Sequence, residues 1–328
     1  MTPKALHQTT GENFTAIHGD CCEAIKALPD ESIGYSIYST PFISLYMFSN
    51  SERDFSNCKG EDEFFSQMRF IIRELLRVTQ SGRLTSFHCT NLTRTLNTHG
   101  RIGIYDFRGA MIKAFEAEGW IYHAETCIWK DPVMAMQRTK AIGLLHKQMV
   151  KDSALSRHGL PDYLVTMRKP GTNKHPICGE LTEYFGAMTD AEFTEACKRD
   201  WSEHKTHDDS ERRNFHTAKS IMLWQAYASP VWFDICQSDT IQYRSARAQE
   251  DEKHICPLQL QVIERGLELW SNPGDTILTP FMGIGSECYV AVQRGRKAIG
   301  IELKESYYQQ AVANLQACEL KMKESLLL

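Results

Sequence analysis

A chain of 328 residues that is 42% hydrophobic, 24% charged and 10% aromatic has ample material for a packed core. That composition excludes collagen, coiled coil and long disorder, and no apolar run approaches the roughly 20 residues of a membrane-spanning helix. A net charge of −4 argues against a uniformly basic coat for nucleic acid, though not against a local one.

The polar N-terminus, residues 1–13, carries no apolar export core and reads as a tail of a cytoplasmic protein. Phe14 to His18 then reads as a strand, Cys21 to Leu28 as a helix, and Ile33 to Tyr38 as a second strand. From Glu61 to Val78, apolar residues at Phe64, Phe65, Met68, Ile71, Ile72, Leu75 and Leu76 make a helical stripe. Ser81-Gly82 is expected to end that helix before a strand from Arg83 to His88. Phe107 to Glu118 reads as a helix closed by Gly119, and Trp120 to Trp129 as a strand. This alternation predicts an α/β fold, a mostly parallel sheet with helices on both faces.

Ala135 to about Ala218 breaks the rhythm and reads as an insert, with helical patches at 142–150 and 190–197. Charge changes sign along it. Between Lys130 and Pro176 there are nine Lys or Arg against three Asp, and between Ile177 and His216 five against ten acids. The basic stretch holds Lys140, Lys147, Arg168, Lys169 and Lys174, and solvated faces of an ordinary domain are the plain reading of it. The α/β pattern resumes with a strand at 231–235, a helix from Pro257 to Trp270 and a strand at 276–279. A helix at 286–294, a strand at 297–301 and a helix at 306–321 follow.

Eleven cysteines without a C-x-x-C pair, in a chain without an export signal, read as reduced thiols. His204 and His207 sit three apart without a second pair, so no metal centre is expected.

Two loops carry chemistry. In Asp275-Thr-Ile-Leu-Thr279-Pro280-Phe281-Met-Gly283-Ile-Gly285-Ser286, a strand enters a glycine turn that opens a helix. Glu302 ends the next strand, seventeen residues after Gly285. Glycines of this kind let backbone approach a ligand, and an acid at the following strand end accepts ribose hydroxyls. Cys288 or Tyr289 stands where a dinucleotide fingerprint wants its third glycine, and no Gly-Lys-Ser/Thr follows. A ribose ligand without phosphate, S-adenosyl-L-methionine, fits better than a dinucleotide, with a ligand-free tight turn as the alternative. The second loop, Ser39-Thr40-Pro41-Phe42, follows a strand with a small hydroxyl, a rigid proline and a flat ring. A strand end followed by a proline turn is its plain reading.

Together Leu278 to Ser286, Gly300 to Leu303 and Ser39 to Phe42 resemble the signature regions of the DNA amino-methyltransferases. The order, catalytic loop first and cofactor loop last, resembles the permuted β class, with phage and prophage DNA methylases as the closest likeness. Gly19-Asp20, the Ala27 to Asp30 turn, Leu75 to Val78 with Ser81-Gly82, Val231-Trp232 and Lys253 to Leu258 add to it in sequence order.

The resemblance implies a Rossmann-like methyltransferase sheet. Residues 14–134 and 219–320 would form the catalytic domain, 135–218 a target-recognition insert, and 1–13 and 321–328 tails. It implies methyl transfer from S-adenosyl-L-methionine to the exocyclic amino group of a flipped base in double-stranded DNA. Phe42 would stack on the base, while Ser39 and the carbonyl of Thr40 would bind its amino group. Asp20, Thr279, Pro280, Phe281, Gly283, Gly285, Ser286, Glu302, Lys253, His254 and Pro257 would surround the cofactor. Lys140, Lys147, Arg168, Lys169 and Lys174 would meet phosphates. The serine-led loop tilts the target slightly toward cytosine-N4 over adenine-N6, and a homodimer is common in the family. Thr40 departs from the family's first proline, adding an N–H and removing a fixed φ. It keeps open a catalytically impaired DNA-binding or regulatory protein; a methyltransferase acting on RNA or protein, which reuses a similar loop, is the other alternative.

Overall fold

The computed structural model describes residues 5–43, 55–58, 60–94, 96–133, 146–155, 158–203, 215–241 and 257–326. Among these, nine strands form one sheet. Its spatial order is β1 (His7–Thr10), β2 (Phe14–His18), β11 (Lys297–Glu302), β10 (Thr276–Thr279), β3 (Ile33–Ser39), β4 (Thr79–Thr90), β8 (Asp162–Arg168), β7 (Ile121–Ile128) and β9 (Val231–Trp232). A separate hairpin pairs β5 (Leu92–Arg94) with β6 (Gly103–Tyr105). Strands β2, β11, β10, β3 and β4 are mutually parallel. Only β1 and β8 run against their neighbours.

Alternation along the strands sends side chains to two cores, one on each face of the sheet. Tyr38, Phe87, Val165, Leu278 and Ile301 pack under the helices Cys21–Ala24, Glu61–Val78 and Phe107–Ala117. Tyr35, Ile37, Leu164, Ile277 and Ala298 pack under Leu260–Trp270, Ser286–Gln293 and Glu305–Leu326. The helix Glu61–Val78 shows why its stripe was readable. Phe64, Met68, Ile71, Ile72, Leu75 and Val78 are buried on one side, and Glu61, Asp62 and Glu63 meet the positive N-terminal end.

Three expectations need correction. The expected insert includes residues 162–168, yet β8 lies inside the sheet, paired on both sides with β4 and β7. A strand buried on both faces is a short apolar run without period, here Tyr163 to Met167, and charge patterning around it hid the signal. His7–Thr10 belongs to β1 rather than to a tail, paired antiparallel with β2 as an exposed polar edge strand. Ser81-Gly82 lies inside β4. The helix before it stops at Val78, where Thr79 N–H caps onto Leu75 O. Smaller shifts shorten the first α-helix to Cys21–Ala24, continued by a 3₁₀ turn at Ile25–Ala27, and start the Leu260–Trp270 helix three residues late.

Within the rest of the expected insert, the helices Asp190–Glu203 and Phe215–Tyr227 share a small core of Tyr184, Phe185, Phe193, Met222, Leu223 and Tyr227. Arg265, fully buried on the Leu260–Trp270 helix, ties this unit down. It donates to Phe185 O at 2.6 Å and to both Asp234 oxygens, at 3.0 and 2.7 Å, and lies over the Tyr227 and Trp232 rings. No described helix is long and apolar enough to cross a membrane, and no disulfide joins any two of the ten described cysteines.

Candidate active site

The five parallel strands end on one edge of the sheet. β10 leads to β11 on one side, while its neighbour β3 leads to β4 on the other. Crossovers leaving adjacent strands in opposite directions open a crevice between the strand ends, the usual ligand position in such sheets. Both loops singled out in the sequence lie there.

On the β10 side, Gly283 and Gly285 have φ of 54° and 90°, a region that favours glycine. A Cβ on Gly285 would stand 3.1 Å from Ala311 Cβ, whereas none of the surrounding atoms comes within 4 Å of one on Gly283. The Gly283 N–H donates to Glu302 Oε2 at 2.7 Å and Lys304 N–H to Oε1 at 2.8 Å. The Glu302 carbonyl accepts from Gly19 N–H at 2.9 Å, and next to it Asp20 Oδ1 caps Cys22 N–H at 2.9 Å. The structure thus draws Asp20, Gly283 and Glu302 to one place from three strand ends. Thr279, Pro280 and Ser286 are buried beneath the loop. Phe281 stands between the rings of Tyr38 and Phe55, at 5.7 and 5.6 Å. Pro257 is half-buried ahead of the Leu260–Trp270 helix, and Lys253 and His254 lie outside the described residues. One close approach lies outside the glycine turn. A Cβ on Gly300 would collide with Met282 Sδ and come 2.8 Å from Cys288 Sγ, so β11 needs glycine there to seat the loop.

On the β3 side, the ladder to β4 continues to the pair Ser39–His88. Ser39 Oγ lies 2.9 Å from His88 Nδ1. The His88 carbonyl accepts from Thr40 twice, from its N–H at 3.1 Å and its Oγ1 at 3.3 Å. Thr40 is 2% exposed. A proline here would fix φ but offer neither donor, so hydrogen bonds to β4 restrain the loop where the family pattern uses a ring. Phe42 is half-buried, its ring 5.9 Å from that of Phe107 at 50°. Pro41 is half-buried beside it.

Four more residues belong to this neighbourhood. His88 Nε2 lies 3.0 Å from Asp162 Oδ2, and Lys130 pairs with the same oxygen. Burial pushes the Asp162 carboxyl up, but Lys130 and His88 outweigh it and hold the group at about 2. Glu287, in the first turn of the Ser286–Gln293 helix, is 4% exposed. Burial pushes its carboxyl up to about 7, against hydrogen bonds from its own N–H and that of Ser39. Sequence reasoning missed all four. His88 and Asp162 come from separate strands and Lys130 from just beyond a third, and Glu287 reads as an ordinary dipole partner.

The residues expected to meet DNA do not share one surface. Arg168 pairs with Leu84 and Ile121, at the opposite edge of the sheet from the crevice. Six residues past Asp162 along a strand is about 20 Å. Lys169 is turned inward, donating to Thr79 O at 2.7 Å and pairing with Glu31 at 3.3 Å. Lys174 follows on the same far side. Lys147 differs. The chain leaves β7 and enters β8 at the crevice edge, and Lys147 is exposed on the helix His146–Asp152 of that connection. Lys140 belongs to the same connection but lies outside the described residues, as do Gln137, His204 and His207. Among the described residues, Asp20, Cys21 and Cys22 alone group three potential metal ligands, and Asp20 there serves as a helix cap.

Comparison with known proteins finds similarity to methylases. The Escherichia coli K12 protein YubD, provisionally designated a methylase, is 35% identical over 82 residues, 25% of this chain and 34% of that protein. The type II methyltransferase M1.MboII of Moraxella bovis is 39% identical over 67 residues, 20% and 26% of the two chains. The matches span about a third or less of these relatives. Among solved structures, PvuII DNA methyltransferase, cytosine-N4-specific, aligns over 93% of this chain and 87% of its own, with a TM-score of 0.55 and 13% identity. TTHA0409 of Thermus thermophilus, provisionally a DNA modification methylase and solved in complex with S-adenosyl-L-methionine, aligns over 92% and 94%, with a TM-score of 0.55 and 17% identity. These structures share the fold. The DNA methylase model covers residues 36–313, from within β3 to the last helix, and the chain belongs to that N6/N4 DNA methylase family.

Proposed function

We propose that the chain methylates the exocyclic amino group of a base flipped out of double-stranded DNA, with S-adenosyl-L-methionine as donor and cytosine-N4 favoured slightly over adenine-N6. The observation that carries this reading is the meeting of two loops at neighbouring strand ends: Gly283 with Glu302 beside β10, and Ser39 with Thr40 beside β3.

The chain's groups fit that donor. Glu302 and Asp20 offer carboxylates for a nucleoside, the space above Gly283 admits one against the backbone, and no third glycine or lysine invites a pyrophosphate. Bound there, S-adenosyl-L-methionine supplies an electrophilic methyl, the C–S bonding pair staying on sulfur. Ser39 Oγ and the Thr40 carbonyl orient the amino hydrogens so that the nitrogen lone pair faces the methyl in line. Phe42 holds the base ring. The work is positioning in a site screened from water, with no strong base required to begin it. Lys147, exposed on the helix His146–Asp152 between β7 and β8, meets backbone phosphates in this reading.

The non-catalytic alternative rested on Thr40, and the two bonds from Thr40 to His88 O supply the restraint that a proline would give. The test is to methylate unmodified genomic DNA with labelled donor and digest it to nucleosides. N4-methylcytosine is the expected product. N6-methyladenine would reverse the base preference, and no labelled nucleoside would overturn the proposal.

A further inference from the structure

We propose that His88, backed by Asp162 and Lys130, receives through Ser39 the proton that the target amino group sheds on methylation. The inference rests on the proposed function. It concerns residues outside the loop motif, and its observation is a chain of contacts across three strands. Ser39 Oγ lies 2.9 Å from His88 Nδ1, and His88 Nε2 lies 3.0 Å from Asp162 Oδ2, which Lys130 also engages. Asp162 is 3% and His88 9% exposed, so water competes little for these contacts.

The partners dictate the proton positions. Asp162 is held ionised beside Lys130, and its negative charge 3.0 Å from Nε2 favours the tautomer with the hydrogen on Nε2 and Nδ1 bare. The Ser39 hydroxyl therefore donates to Nδ1, and its lone pairs turn toward an incoming N–H. A base presenting an amino group satisfies them, and one presenting a carbonyl oxygen does not. When nitrogen has gained the methyl it holds one proton too many. That proton passes to Ser39 Oγ while the Ser39 hydroxyl proton passes to Nδ1. His88 becomes imidazolium, compensated by Asp162, and serine is regenerated. The arrangement follows the logic of a hydroxyl, an imidazole and an orienting carboxylate, with serine relaying a proton instead of attacking.

The titratable groups facing His88 are Asp162 from β8 and Lys130 from beyond β7. The Cys89 and Cys127 thiols lie within the field of Asp162, both pushed up by burial, and Glu287 stands across Ser39 on the β10 side.

Two measurements test the relay. Imidazole ¹⁵N spectra of the wild-type protein, without donor or DNA, should show His88 with Nε2 protonated and Nδ1 bare. The reverse tautomer overturns the proposal. Single-turnover label transfer from tritiated S-adenosylmethionine to unmodified genomic duplex DNA is then followed from about pH 5.5 to about pH 9. Wild-type should lose rate on the acid side with one ionisation. His88→Gln, which keeps hydrogen-bonding atoms but accepts no proton, should be slower by about 100-fold and flat over that range. Asp162→Asn should also slow transfer, as the imidazolium loses its counter-charge. If His88→Gln is slow but keeps the wild-type profile, or if the profiles coincide, His88 is only structural and the relay fails. If wild-type labels no DNA, the proposed function itself falls.

Discussion

Replacing Glu287 with Gln isolates a charge buried between the two loops. The carboxyl is 4% exposed, and burial lifts it from an ordinary value of 4.5 to about 7. Its native form therefore holds a proton that the unfolded chain releases near pH 4.5, and stability falls as pH rises from about 4.5 to about 7. Above that the cost is complete. At about 1.36 kcal/mol per pH unit of difference it amounts to roughly 3 kcal/mol. Glutamine has the same shape and no ionisation, so Glu287→Gln removes the decline. At roughly 2.1 cal/mol/K of unfolding entropy per residue, about 3 kcal/mol over this chain is about 4 °C in Tm. The assay is thermal unfolding of both proteins from about pH 5 to about pH 8. The two melting curves should lie closest at the acid end, and the variant should gain about 4 °C by the alkaline end. Parallel Tm profiles across the range would refute a buried carboxyl that titrates near neutrality.

Four further outcomes follow from named contacts. Thr40→Pro removes both donors to His88 O, a loss of about 1–3 kcal/mol that reduced unfolded-chain entropy offsets by about 0.4–1 kcal/mol. Denaturant unfolding should show a net loss, and a more stable variant contradicts the restraint assigned to Thr40. Gly285→Ala forces φ of 90° on a residue with a Cβ and brings it against Ala311. A loss of about 1–2 kcal/mol is expected, with weaker S-adenosylmethionine binding by calorimetry. Asp234→Ala strands the buried Arg265 guanidinium and should cost about 3 kcal/mol in urea unfolding. Lys147→Ala should flatten the salt dependence of DNA binding by about one phosphate contact, whereas Lys169→Ala should leave that slope unchanged and lower Tm.

The contrast between those two lysines shows where sequence reading stopped. Both sit in one basic stretch, and charge counting treats them alike. Only the direction of β8 separates them, sending Lys169 to the far edge, onto Thr79 O, while the β7–β8 connection begins and ends at the crevice. Elements with a strong local signature were legible. The stripe of Glu61–Val78 matched its helix end to end, and the strand, glycine turn and acid of β10 and β11 announced the cofactor loop because they follow one another in the chain. β8 carried no period, and the polar β1 carried no apolar signal at all. The Ser39 loop was visible, but its partners were not. His88 lies 49 residues on and Asp162 farther still, and only the sheet brings them together. Thr40 looked like a defect because a sequence lists what proline loses, not what a neighbouring carbonyl accepts.

The most direct measurement is transfer of tritiated methyl from S-adenosylmethionine by the wild-type chain to unmodified duplex DNA, RNA and protein offered side by side, with Ser39→Ala as control. Label in duplex DNA, lost by about 100-fold in Ser39→Ala while donor binding persists, is the predicted result. Label confined to RNA or protein, or undiminished transfer by Ser39→Ala, would contradict a DNA amino-methylating site built on Ser39 and Glu302.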